Sequence, residues 1–291
     1  MAASLGMSLD LARRRPAGTP APLDGFAGQI YAAFGLERLF SAYAGPCLRV
    51  RRSTDDAQAD IGFAGRRLDM AALLAFVGAG SGHVVAWYDQ SGNGRHAEQA
   101  GAAYQPRLVN AGVPGTGPGG RPAMTFDGSD DFLEIAASLG FSRAQPAVAM
   151  GAVALRDLAG TRMIGFAAVG GGVVSRAQLS VGTAVVPGGR RLNTDAYADV
   201  LGPAIASGAW RRIIGRWRPV TAQIDAAVDG AVITGAWHGP GPFADTDQNL
   251  PVRVGSGLGS SFHSGGLAAF VLAQGAPDIA TLDRALARLL P

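Results

Sequence analysis

The chain has 291 residues, 48% of them hydrophobic and only 16% charged, with 43 glycines and 17 prolines. That describes a folded, turn-rich protein of one large or two small domains, and it excludes both a disordered chain and a collagen-like one. All 25 basic residues are arginine and the formal charge is only +3, spread in ones and twos apart from Arg13 to Arg15 and Arg211 to Arg218, which argues against a nucleic-acid partner.

Cys47 is the single cysteine, so no intramolecular disulfide forms, and no Cys/His spacing suits zinc. The first eleven residues hold no apolar run behind a basic region, so no secretory signal is expected. The longest uncharged stretch, Met70 to Tyr88, is cut by Gly78 to Gly82, so no membrane insertion is expected either.

Residues 1 to 25, with Arg13-Arg14-Arg15-Pro16, Pro20 and Pro22, read as a docking arm. The spacing of Ile30, Tyr31, Phe34, Leu36, Leu39, Phe40 and Tyr43 predicts a short helix over Gln29 to Tyr43. Cys47 to Arg52 alternates as a strand, and Leu68 to Val77 reads as a helix ending at Gly78. His83 to Asp89 is β-branched and aromatic, a core strand entering the Asp89-Gln90-Ser91-Gly92-Asn93-Gly94 turn.

Beyond residue 100, short apolar runs are parted by Gly, Pro, Asn and Asp, the pattern of an antiparallel sandwich. Strands are expected at Ala123 to Phe126, Phe132 to Ile135, Ala147 to Leu155, Arg162 to Ala168, Gln178 to Val181, Trp210 to Trp217, Ala222 to Val228, Val252 to Gly255 and Gly266 to Leu272. Pro277 to Leu290 is amphipathic and predicts a closing helix.

Two segments carry more than periodicity: Leu36 to Ile61 (LERLFSAYAGPCLRVRRSTDDAQADI) and Trp87 to Ala100 (WYDQSGNGRHAEQA). Together they resemble the catalytic sandwich of the α-L-arabinofuranosidase B family through Arg38, Leu39, Tyr43, Gly45, Val50, Arg52, Ser53, Asp55, Tyr88 to Gly94 and Gln99. The resemblance implies an all-β, concanavalin A-like (jelly-roll or laminin-G-like) antiparallel sandwich with a few short helices, here over residues 26 to 291. It also places that family's nucleophile near Ala177-Gln178 and its acid near Gly259, and neither position is a carboxylate. The family's cysteine pair has no counterpart either. A glycosidase needs two carboxyls at ~5 Å or ~6.5–9.5 Å, one with a raised pKa, which amides and glycine cannot supply.

The architecture is further similar to small bacteriophage tail or capsid-decorating proteins, including those of phage-like gene transfer agents. These two likenesses imply a non-catalytic, lectin-like head-spike or tail-fibre component that binds bacterial surface or capsular polysaccharide and serves host attachment. Its arm would dock to other particle proteins, its copies would oligomerise, and it would sit on the particle after assembly in the cytoplasm. An arabinofuranosidase-like hydrolase, with an active site relocated to Asp195 and Asp245, and a structural decoration protein without ligand are the alternatives.

Sugar binding calls for aromatic faces and planar amides or carboxylates on loops, which points to Asn193, Asp195, Tyr197, Trp237, His238, Asp245, Asn249 and His263. Tyr88, Asp89, Gln90 and Asn93 are expected to shape a turn. No cofactor is expected, with calcium at Asp245, Asp247 and Asn249 left open by their D-x-D-x-N spacing, although Leu250 stands where an EF-hand needs Gly.

Overall fold

A computed structural model describes residues 19–26, 28–136, 146–157, 160, 162–169, 174–243, 252–257 and 261–290. For residues 156, 168, 169 and 174 only the backbone is described. No helix among these residues is long and apolar enough to cross a membrane.

Most strands lie where alternation and turn residues put them, and the helix expected near Leu68 runs from Met70 to Val77 with Asp69 as its N-cap. The helix expected over Gln29 to Tyr43 is instead the strand Ile30–Gly35, paired antiparallel with Ser264–Gly275. Tyr31, Ala32 and Phe34 enter one core while Ile30 and Ala33 enter another. A strand buried on both faces loses its polar alternation, and its apolar spacing then imitates a helical one.

Two layers result. The back sheet runs Ile30–Gly35, Ser264–Gly275, Ala147–Arg156, Trp210–Arg218, Gln223–Val228 and Ala231–Ala236. The last two strands are joined by Asp229-Gly230, both at positive φ, as a two-residue hairpin turn demands. The front sheet runs Gln58–Ile61, Leu48–Arg52, Gly82–Trp87, Ala97–Glu98, Leu133–Ile135, Val252–Val254, Arg162–Val169, Val174–Val181, Val185–Gly189 and Ala198–Asp199. Arg107–Asn110 and Met124–Asp127 bridge the layers, joining Gly82–Trp87 to the first half of Ser264–Gly275.

Between the sheets lie Phe34, Trp87, Phe126, Trp217 and Phe270, all essentially without solvent contact. The outer face of the back sheet is covered by the C-terminal helix Ile279–Ala287, through Leu282 and Leu286, together with Leu23 and Phe26. The end of the expected arm therefore packs into the domain, with Arg288 donating to the Ala21 carbonyl at 3.2 Å. Residues 1–18 of the arm lie outside the described residues. Fully burying one Leu or Phe is worth ~1.5–3 kcal/mol, so the second core accounts for a real share of the domain's stability.

Candidate functional site

The Tyr88 to Gly94 segment is consumed by backbone fastening. Asp89 Oδ1 accepts from the amides of Ala33 and Ser91, and its Oδ2 accepts from Ser91 Oγ and the Arg95 amide. Gln90 Oε1 accepts from the Leu39 amide while its Nε2 donates to the carbonyls of Gly35 and Glu37. Asn93 Nδ2 donates to the carbonyls of Ile30 and Tyr31, and Tyr88 donates to Asp60 at 2.7 Å. The side chains of Asp89, Gln90 and Asn93 hold the Ile30–Gly35 strand to the turn that follows the Gly82–Trp87 strand, and Asp89 and Gln90 are each 2% exposed.

The residues expected to hold sugar divide into three groups. Asn193, Asp195, Tyr197 and His238 gather beside Val185–Gly189: Arg176 donates to Asn193 Oδ1, Gln178 donates to the Tyr197 hydroxyl, and His238 Nδ1 stands 3.7 Å from Asp195 Oδ2. Burial of the phenol, and then the Asp199 charge, push the Tyr197 hydroxyl up in pKa. Trp237 and His263 contradict the expectation. Trp237 is 2% exposed, packs on Phe243 and donates to the Gly189 carbonyl, whereas His263 is fully buried against Phe126. Their rings fill the interior, so neither presents a face to a ligand. Asp245 and Asn249 lie outside the described residues, and with them the calcium spacing and one member of the relocated Asp195/Asp245 pair.

Two acids of the hairpin are structural. Asp225, 1% exposed, is clamped by Arg216, Arg218 and Thr234, and Asp229 receives Arg211 and the Arg212 amide. Gln178 lies in a register row that crosses the front sheet through Phe166, Arg253, Glu134, Glu98, Ala86, Arg49 and Asp60. Glu98 and Glu134 face one another directly, a geometry that sets Cβ atoms ~4.5–5.5 Å apart. Glu134 is ion-paired to Arg253 at 2.8 Å, and Arg253 lies over the Phe132 ring.

The carboxylates that differ from all of these stand at the turn after Met124–Asp127. A cleft of about 300 Å³ opens there, lined by His83, Gln105, Arg107, Thr125, Asp127 and Asp131. Asp127 Oδ1 accepts from the amides of Ser129 and Asp130, an Asx turn, and the Asp127 amide donates to Asp131 Oδ2 at 2.9 Å. That turn tucks Asp131 inward to 7% exposure. Burial, and then the charge of Asp127, push the Asp131 carboxyl up to about 7. Burial also pulls the His83 pKa down, which favours a neutral imidazole, and its Nδ1 stands 3.4 Å from the Gln105 carbonyl. Carboxylate oxygens of Asp127, Asp130 and Asp131 lie within 4.8 Å of one another. Such oxygens also suit a hard divalent cation, which would ionise Asp131 and end its use as an acid. Sequence reasoning missed this group: three aspartates in five residues look like turn chemistry, and only the burial of one sets it apart.

Comparison with known proteins bears on this arrangement. The family model of the α-L-arabinofuranosidase B catalytic domain matches residues 27–122, about a third of the chain. An arabinofuranosidase solved with arabinofuranosyl-α-1,2-xylobiose superposes with a TM-score of 0.68 at 17% identity, over 92% of this chain and 65% of that one. A GH54 α-L-arabinofuranosidase soaked with a cyclic sulfate inhibitor gives 0.67 at 16% identity over the same shares. The fold is a concanavalin-like sandwich. This chain thus spans slightly under two thirds of the length of those enzymes. No curated protein sequence matches it.

These findings correct the expectation drawn above. The matched family model describes a hydrolase catalytic domain and the similar structures are arabinofuranosidases, which overturns the reading as a non-catalytic, particle-borne polysaccharide receptor and the reading that the chain is not an enzyme.

Proposed function

We propose that this protein is a glycoside hydrolase acting on furanosidic sugars of the L-arabinofuranoside type, with Asp131 as general acid and base and Asp127 as nucleophile. The observation that carries the reading is a carboxyl with its pKa near 7 beside a second carboxylate within 4.8 Å, in one cleft. Glycosidases need two carboxyls in one cleft, one of them with a raised pKa. The matched segment supplies His83, Gln105 and Arg107 to the same cleft wall.

Separation sets the stereochemistry. Carboxyls ~5–5.5 Å apart belong to retaining hydrolysis, whereas inversion needs ~6.5–9.5 Å to seat a water. Asp131 donates its proton to the glycosidic oxygen as that bond to the anomeric carbon breaks. The free Oδ2 of Asp127 takes the anomeric carbon, forming a glycosyl ester. Water then attacks that carbon and gives its proton to Asp131, the ester breaks, and both carboxyls return to their starting states. The Asx turn commits only Oδ1 of Asp127, which aims the other oxygen. Arg107 and His83 are placed to hydrogen-bond sugar hydroxyls.

The test is release of 4-nitrophenol from 4-nitrophenyl α-L-arabinofuranoside between pH 5 and 8, with Asp131→Asn, Asp127→Asn, Glu98→Gln and Glu134→Gln alongside the wild type. Loss of at least ~100-fold in the two aspartate variants is expected, since positioned proton transfer contributes ~10²–10⁴. Loss confined to the glutamate variants would move the chemistry to the front-sheet row. No release by the wild type from this substrate or from arabinoxylan would sink the hydrolase reading.

A further inference from the structure

A second cleft, of about 490 Å³, opens where the Ile30–Gly35 and Ser264–Gly275 strands meet the loop after Tyr88. Phe40, Tyr43, Gln90, Asn93, Arg95 and Gln274 are among its walls. One strand spans the way to the carboxylate cleft. Thr125, in that cleft, is in register with Gly266, whereas Gln274 stands eight residues further along the same strand. At ~3.3 Å per residue the two openings are roughly 26 Å apart.

The wall chemistry differs in kind from the carboxylate cleft. No Asp or Glu lines the larger opening, so it holds no acid or base for hydrolysis. It offers instead two aromatic rings, planar amides and one guanidinium. Gln90 is spent on the backbone, but the Gln274 side-chain amide makes no hydrogen bond among the described residues, and Asn93 commits its Nδ2 while Oδ1 makes none. Arg95 is fixed by donation from Nη1 to the Tyr31 carbonyl at 2.9 Å and by stacking 3.7 Å over the Tyr31 ring. Among the described residues no carboxylate pairs with it.

A rigidly held guanidinium with an unused edge suits a planar carboxylate, and rings beside amides suit the C–H face and hydroxyls of a sugar. We propose that this cleft is a second, non-catalytic saccharide site for a uronate-bearing oligosaccharide, with Arg95 receiving the carboxylate and Gln274 a neighbouring hydroxyl. A site of this kind holds a polymer while a distant cleft works on it, by raising the local concentration of chain.

The test is calorimetric titration of the full chain with trigalacturonate and with neutral arabinotriose, for the wild type, Arg95→Gln and Gln274→Ala, at low and high salt. Trigalacturonate is expected to bind, to weaken at least ~10-fold in Arg95→Gln and ~3-fold in Gln274→Ala, and to weaken with salt. Arabinotriose is expected to bind more weakly and to ignore the Arg95 change. Hydrolysis of the 4-nitrophenyl substrate is expected to stay at the wild-type rate in both variants. Absence of trigalacturonate binding, equal binding by all three proteins, or arabinotriose binding as tightly as the acid would each overturn the proposal. Because the Gln274 side chain has no hydrogen bond among the described residues to lose, and its backbone bond to the Gln29 carbonyl survives substitution, its variant remains informative if Arg95→Gln fails to fold. Binding is read directly, so the outcome does not depend on whether the carboxylate cleft hydrolyses anything.

Discussion

Two aspartate turns follow two strands of this sandwich, and they treat their carboxylates in opposite ways. At Asp89 both oxygens are occupied, by two backbone amides on one side and by Ser91 Oγ and a third amide on the other, so the side chain is built into the fold. At Asp131 the chain provides a single amide, buries the group and sets another carboxylate beside it. The first acid is a fastener, and the second is left with a proton it can lose near neutrality. A dense motif therefore marks where structure is demanded, and the less conspicuous turn marks where chemistry is available.

Removing each carboxylate should expose the contrast, first through stability. Asp89→Ala leaves the buried amide of Ala33 and the half-buried amides of Ser91 and Arg95 without their acceptor and is expected to cost roughly 3–4 kcal/mol in chemical denaturation. Asp131→Asn should do the reverse above neutrality. Its folded pKa lies above the ordinary carboxylate value of 3.8. The folded state therefore holds the extra proton between about pH 4 and 7, and wild-type stability falls as pH rises through that window before levelling off. The asparagine variant removes that slope and is expected to be more stable at pH 8 by on the order of 2 kcal/mol. Stability of the variant that still falls between pH 4 and 7 would assign the proton to another group.

Activity sharpens the comparison further. Hydrolysis through Asp131 is expected to fall roughly tenfold per pH unit once pH exceeds about 7, because only the protonated acid can donate. A rate unchanged from pH 6 to 9 would remove Asp131 from the reaction. The smallest expected effect is at the place where the resemblance puts a nucleophile. Gln178→Glu should change the hydrolysis rate by less than about twofold, since the register row there leads to the ion-paired Glu134 rather than to a protonated partner. A large gain would return the active site to the front sheet.

Much of the sandwich is legible in the sequence. Ala147–Arg156, Trp210–Arg218 and Gln223–Val228 announce themselves as short apolar runs parted by turn residues, and Asp229-Gly230 marks the hairpin. The strand Ile30–Gly35 reads as a helix in sequence because both of its faces are buried, which removes the polar alternation a pattern needs. The site was far less legible. Trp237 and His263 look like ligand-facing groups in the chain but fill its interior, while Asp131 looks like a turn residue but lines a cleft.

Composition, turn residues and two ordered motifs were thus enough to establish the class of fold and the family it resembles, because those properties depend on local preference and on alternation along the chain. Which acid keeps its proton, which ring meets solvent and which arginine has no carboxylate partner among the described residues were decided only by tertiary structure. Each depends on burial and on neighbours distant in sequence, as His83 of a strand and Asp131 of a turn nearly fifty residues further along meet in one cleft.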